Sequence, residues 1–78
     1  MTTQENISKD ELIIQNFVDK FIELRKLEDL TQTDVAKATG LTQAQISNIE
    51  HGVTKPGLVT IAKLANFYNK EIRLVDSD

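Results

Sequence analysis

Residues 31–58 read TQTDVAKATGLTQAQISNIEHGVTKPGL, and the architecture of the chain turns on them. Thr31 is a helix-capping residue, and Gln32, Thr33 and Asp34 fall in the first turn it opens. Val35, Ala36 and Ala38 give that helix an apolar inner side. Gly40 follows, a residue free to take positive φ and so to end a helix. Thr42 then caps a second helix, with Gln45 three residues on in capping-box spacing. Ile46 and Ile49 form its inner seam, which leaves Gln43, Ala44, Ser47 and Asn48 facing outward. Amides and small side chains opposite an isoleucine seam suit the reading of base edges in a DNA major groove. Gln and Asn match adenine bidentately, and a methyl-sized residue such as Ala44 fits a thymine methyl.

The ordered series resembles the phage-repressor/Cro-like helix-turn-helix family, also called the XRE family. The matching pieces are Thr31-Gln32, Val35-Ala36, Gly40-Leu41-Thr42, Ile46-Ser47, Ile49-Glu50, Gly52, Pro56 and the helix from Leu58 to Tyr68. They run from about Leu24 to Asn69. The resemblance implies an all-α, compact four- to five-helix repressor-like DNA-binding domain. Its function would be sequence-specific DNA binding, most often repression, with the helix Gln43–Glu50 in the major groove. Gln43, Ala44, Ser47 and Asn48 would read bases, while Gln32, Thr42, Gln45 and Lys55 would contact the DNA backbone. Three positions depart from the family pattern. Gly57 stands where Ser is usual, which weakens the cap of the next helix. His51 precedes Gly52 where Asn or a basic residue is commoner. Asn48 is neutral where the recognition helix often carries a base.

Outside the motif, Ser8 and Glu11 form a capping box before a long helix over residues 9–28. Ile13, Phe17, Phe21, Leu24 and Leu27 recur at helical spacing and are expected to face the core. Ile14, Val18 and Ile22 form a second stripe beside them. After the motif, Val53–Gly57 is a loop rich in breakers. Leu58, Ile61, Ala62, Ala65 and Tyr68 mark a further helix, and Asn69 tolerates the left-handed conformation that ends it. Glu71–Val75 largely alternates polar and apolar residues and reads as a short C-terminal β-strand. A lone strand leaves backbone groups unpaired, so it calls for a second subunit. A homodimer is therefore expected, with Ile72, Leu74, Val18 and Ile22 as its candidate interface. The expected organisation is a flexible tail at 1–7, the DNA-binding domain at 8–69 and a dimerising strand and tail at 70–78.

The chain's 78 residues suffice for one small domain. No cysteine is present, and one histidine cannot build a metal cluster, so neither a metal nor another cofactor is expected. No apolar run approaches the roughly 18–20 residues of a membrane span. The polar, acidic start is not a secretion signal, and a cytoplasmic location is expected. The net charge is −3, but its distribution matters more than its sum. Residues 1–30 carry seven acids and four bases, whereas residues 31–66 carry only Asp34 and Glu50 against Lys37, Lys55 and Lys63. Such a surface implies few phosphate contacts and modest affinity per subunit. Arg25 and Lys26, near the end of the long helix, are further candidates for the DNA backbone.

Two other readings compete. One is an antitoxin that neutralises a small basic toxin and represses its own operon, since antitoxins resembling this family share the compact domain and the short strand. The other is a protein-interaction domain without DNA binding. The polar recognition face argues against that, because an interaction surface favours aromatic anchors. Ser47 and His51 are four apart and share a helix face, but nothing supplies the orienting acid, oxyanion site or pocket that a nucleophile needs. No enzymatic activity is expected. Glu50, beside the seam, reads as a local hydrogen-bonding group rather than a general base.

Overall fold

A computed structural model describes residues 8–76; the tail expected at 1–7 and the last two residues lie outside them. Four helices are present among the described residues: α1 (Lys9–Leu27), α2 (Gln32–Thr39), α3 (Gln43–Glu50) and α4 (Leu58–Phe67). Each begins where the sequence places its start. Ser8 Oγ accepts the Glu11 backbone N–H at 3.1 Å. Thr31 and Asp34 form a full capping box: the Asp34 N–H donates to Thr31 Oγ1 at 3.0 Å and the Thr31 N–H to Asp34 Oδ2 at 2.9 Å. Those bonds stabilise the carboxylate and hold the Asp34 pKa below its usual value. Thr42 and Gln45 repeat the arrangement at 2.8 and 3.0 Å. Only α4 starts without a side-chain cap, at Gly57, as the missing Ser implies.

The terminators are equally local. Gly40 ends α2 with φ +79°, a left-handed conformation costly for any residue with a Cβ. Asn69 ends α4 with φ +58°. Gly40, Leu41 and Thr42 thus make a three-residue turn, and α2 and α3 pack against each other with α1 and α4 behind them.

The core cluster is Val35 and Ala36 of α2, Ile46 of α3, Leu64 of α4 and Tyr68, with Phe21, Leu24, Leu30, Leu41 and Phe67 packed around it. Val18, Ile49, Ile61 and Ala65 are also buried. Tyr68 stacks on Phe21 with ring centroids 6.2 Å apart. Burial, helped by the charge of Glu28, pushes its phenol up to about 12, so it stays protonated at neutral pH.

The expected inward faces of α1 and α2 need correction, and the apolar series that marks α4 is only partly buried. In α1, Ile13 is 58% exposed and Leu27 74% exposed, while Val18 is buried at 3%. The helix is rotated so that Ile14, Val18, Phe21, Ile22 and Arg25 turn inward, which buries Val18 and brings Arg25 to α3. Val18 is therefore core and offers no surface to a second subunit. Ile22 is half-buried. In α2, Ala38 is exposed, because the eight-residue helix needs only Val35 and Ala36 against its neighbours. In α4, Leu58 and Ala62 are exposed and Leu64 takes an inner place.

From Lys70 to Asp76 the chain is neither helix nor strand, and the strand expected over Glu71–Val75 would need a second chain for its pairing. Ile72 lies half-buried in a cleft of about 340 Å³ lined by Phe17, Phe21, Leu24 and Ala65. Leu74 is fully exposed.

The uncapped start of α4 is a point where stability is easily raised. At Gly57, φ is −79° and a Cβ added there would have no atom within 4 Å, so a side chain fits without strain. Gly57→Ser adds the missing cap and restricts the unfolded chain, and should stabilise the fold by about 0.5–1 kcal/mol. Urea denaturation at equal slope checks it; an unchanged or lower midpoint would contradict the role given to this position.

Candidate nucleic-acid interface

The outward face of α3 begins with Gln43, at the N-terminal end of the helix. Gln43, Ala44, Gln45 and Asn48 are exposed, while Ile46 and Ile49 lie buried at 3% and 8%. The face expected to read bases is therefore the solvent face of this helix. Ser47 is half-buried, and its Oγ lies 3.2 Å from His51 Nδ1; the same nitrogen is 2.8 Å from the Ser47 carbonyl oxygen. The carbonyl only accepts, so Nδ1 carries a proton in that contact. His51 here closes the end of α3, and among the described residues no carboxylate bonds its ring.

Beneath the amides lies an ion pair. Arg25 Nε and Nη2 donate to Glu50 Oε2 and Oε1 at 2.7 and 2.8 Å, a bidentate fork. Arg25 Nη1 also donates to the Leu30 carbonyl at 2.8 Å, tying the α1–α2 connection into the same centre. The two side chains are only 15% and 13% exposed. Burial alone would raise the Glu50 pKa. The hydrogen bonds from Arg25 and Gln32, with the guanidinium charge, outweigh it and hold the carboxyl below its ordinary value of 4.5. The bond to Glu50 likewise raises Arg25, against a smaller opposing effect of burial. Arg25 is thereby withdrawn from the DNA-backbone role that its position suggested. Glu50 bonds locally, as its place beside the seam implied.

The network continues outward. Gln32 Nε2 donates to Glu50 Oε1 at 3.0 Å, and Gln32 Oε1 accepts from Gln43 Nε2 at 2.8 Å. The first residue of α2 thus holds the first residue of α3, and the two expected contact residues form one hydrogen-bonded unit. The other expected backbone contacts are more scattered. The Thr42 hydroxyl accepts the Gln45 N–H and keeps its own proton to donate outward. The Gln45 amide oxygen is committed to the Thr42 N–H. Lys55 pairs with Glu11 of α1 at 2.6 Å, and that pair lowers the Glu11 pKa. Both partners are well exposed, so solvent competes readily for this contact.

Sequence reasoning missed the Arg25–Glu50 pair, whose partners are 25 residues apart and carry no local signature. It also missed the Thr31–Asp34 capping box, although the spacing of Thr and Asp over three residues is a recognised start signal.

Comparison with known proteins agrees with this architecture. A helix-turn-helix family model matches residues 21–75. The chain belongs to this XRE-type helix-turn-helix family, a class of DNA-binding regulators. Antitoxin HigA1 of Mycobacterium tuberculosis, from strains CDC 1551 / Oshkosh and ATCC 25618 / H37Rv, is 36% identical over 61 residues, covering 78% of this chain and 41% of that protein. The ImmF control region 10 kDa protein of Bacillus phage phi105 is 33% identical over 51 residues, covering 65% of this chain and 57% of that protein. The chain thus spans about half the length of the curated relatives it matches. No solved structure gives a significant match. No helix among the described residues is long and apolar enough to cross a membrane.

Removing one partner of a buried pair strands the other charge, so Arg25→Met should cost about 3 kcal/mol at neutral pH. The pH dependence follows from the depressed Glu50 carboxyl. Its contribution is complete above the unfolded value of 4.5 and is lost as pH falls through the lower folded value. Without Arg25, burial acts on Glu50 with less to oppose it, so its folded pKa is higher in the variant, and the stability gap between the parent and Arg25→Met should narrow as pH falls from the variant's Glu50 value through the lower parent value. A gap that stays constant down to strong acid would show that the pair carries no such linkage.

Proposed function

We propose that this chain is an operator-binding repressor that acts as a dimer and lays α3 in the DNA major groove. The observation that carries the reading is the Gln32–Gln43 bond. It fixes an exposed amide at the leading end of α3, where base edges would be met. Gln43 and Asn48 would read bases, with Ala44 against a thymine methyl and Ser47 at the edge of the contact. Gln32, Thr42, Gln45 and Lys55 would set the register on phosphates. The positive end of the α2 dipole favours a phosphate near Gln32.

The division of the chain follows the same logic. Residues 8–69 would be the DNA-binding domain and residues 70–78 the dimerising tail. Two features support this role for the tail. Leu74 and Val75 are 101% and 81% exposed. Among the described residues, the backbone groups from Glu71 onward make no hydrogen bond to the rest of the chain. Strand pairing with a second copy would satisfy those groups, with Ile72 and Leu74 contributing apolar contact. A second reading is favoured by one observation, the 36% identity to a protein named an antitoxin. In it, the same domain would also hold a small basic toxin, towards which the net charge of −3 is complementary.

Two experiments test the proposal. Gln43→Ala and Asn48→Ala should leave folding within about 0.5 kcal/mol of the parent, since both side chains are solvent-exposed. Each should lose roughly 1–3 kcal/mol of discrimination on the half-site the parent selects. Parent-like specificity in both variants would place the reading face elsewhere. Deleting Glu71 onward should shift the protein towards monomer in sedimentation and sharply weaken operator binding, because the second half-site then gains no effective concentration. Equal dimerisation of both forms would move the interface off the tail.

A further inference from the structure

Glu50, Gln32 and Gln43 form a chain of hydrogen bonds, and Glu50 is the only one of the three whose bonding polarity is fixed. Asn and Gln side chains can present either a carbonyl oxygen or an NH2 group to a neighbour, whereas an ionised carboxylate only accepts. Glu50 accepts twice from Arg25 and once from Gln32 Nε2. Gln32 must therefore give one N–H to Glu50 and turn its oxygen towards Gln43, which leaves its second N–H for a phosphate. That oxygen in turn only accepts, so Gln43 must spend one N–H on it, at 2.8 Å. Gln43 is left with its oxygen and one N–H towards solvent. One acceptor beside one donor is the complement of the adenine edge, which offers an N6 donor and an N7 acceptor. The opposite orientation would present two N–H groups, the complement of the guanine O6 and N7 acceptors.

We infer that Glu50, which lies beneath the DNA-facing surface, is a specificity-determining residue: it orients the Gln32 amide, and through it the Gln43 amide, and so selects adenine over guanine at the base pair Gln43 meets. The inference rests on the operator-binding reading above and adds a positioning residue to it. Arg25 secures the anchor by holding both carboxylate oxygens. The relay runs from the end of α3 to the start of α2 and back to the start of α3. Fixing the two amides before DNA arrives removes part of the ordering cost that a free glutamine would carry into the complex.

Glu50→Gln tests this directly. The introduced amide can offer either an oxygen or an NH2 group to Gln32, so both orientations of the relay become available. On the half-site selected by the parent, the adenine-over-guanine preference at the base pair sensed by Gln43→Ala should fall about tenfold or more. The double variant Glu50→Gln with Gln32→Glu puts a carboxylate, again only an acceptor, in front of Gln43 and should restore the preference. A merely structural role for Glu50 predicts no such rescue. In the free protein, the coupling across the hydrogen bond from Gln43 Nε2 to the Gln32 carbonyl, read by NMR, should weaken in Glu50→Gln. If that variant does not fold, Gln32→Met cuts the relay while leaving the Arg25–Glu50 pair intact, and the same loss of preference is expected. A parent that selects DNA together with a folded Glu50→Gln or Gln32→Met that keeps the full preference overturns the inference alone. A parent that selects no DNA sequence overturns the operator reading and the inference with it.

Discussion

Arg25 and Glu50, joined by a bidentate ion pair, tie α1, α3 and the connection into α2 to one another and anchor the polar network of the candidate site. The pair links the C-terminal part of α1 to the last residue of α3, and through the Leu30 carbonyl it also holds the connection into α2. A buried ion pair adds little net stability over a well-packed apolar contact, because desolvation offsets the Coulomb gain. Its effect is geometric. In the rotation of α1 that brings Arg25 to Glu50, Val18 lies in the core and Ile13 and Leu27 lie in solvent. The same pair fixes the carboxylate from which the polar network runs out to Gln32 and Gln43.

Around this centre the motif is built from short pieces that could not stand alone. Helices of eight residues are marginal in water, because nucleation costs more than so few hydrogen bonds return. Two capping boxes and a left-handed Gly40 set where α2 and α3 begin and where the turn falls. Burial of Val35, Ala36, Ile46 and Ile49 then holds them together. The outcome is a rigid placement of the exposed α3 face. The region 31–66 has few basic residues, so a single subunit would draw little affinity from phosphate contacts, and shape and hydrogen bonding would carry more of the recognition.

Much of this was legible in the sequence, and the limits are physical. Caps, turns and terminators are set by a few adjacent residues, so Thr31, Gly40, Thr42, Gly57 and Asn69 could each be read where they stand. The exposed face of α3 was equally legible, because Ile46 and Ile49 mark the opposite side. The rotation of α1 was not. Its apolar residues form two overlapping stripes, and hydrophobic periodicity does not choose between them. The choice falls to tertiary packing, which buries Val18 and brings Arg25 to Glu50, and neither contact has a signal in the local segment. For the same reason Arg25 read as a surface base. Ala38 and Leu58 show the converse limit, since a helix at the edge of a thin core leaves part of its apolar side uncovered. Over Glu71–Val75 the alternation of polar and apolar residues suggested a strand, but the described residues offer no strand for it to pair with.

The decisive experiment is selection of DNA by the purified protein from a random library at fixed salt, followed by alignment of the enriched sequences. A two-fold-related pair of half-sites should emerge, centred about one helical turn apart or a multiple of it, with adenine enriched at one position in each half. Recovery of DNA with no sequence enrichment over the starting library would contradict the reading of α3 as a recognition helix.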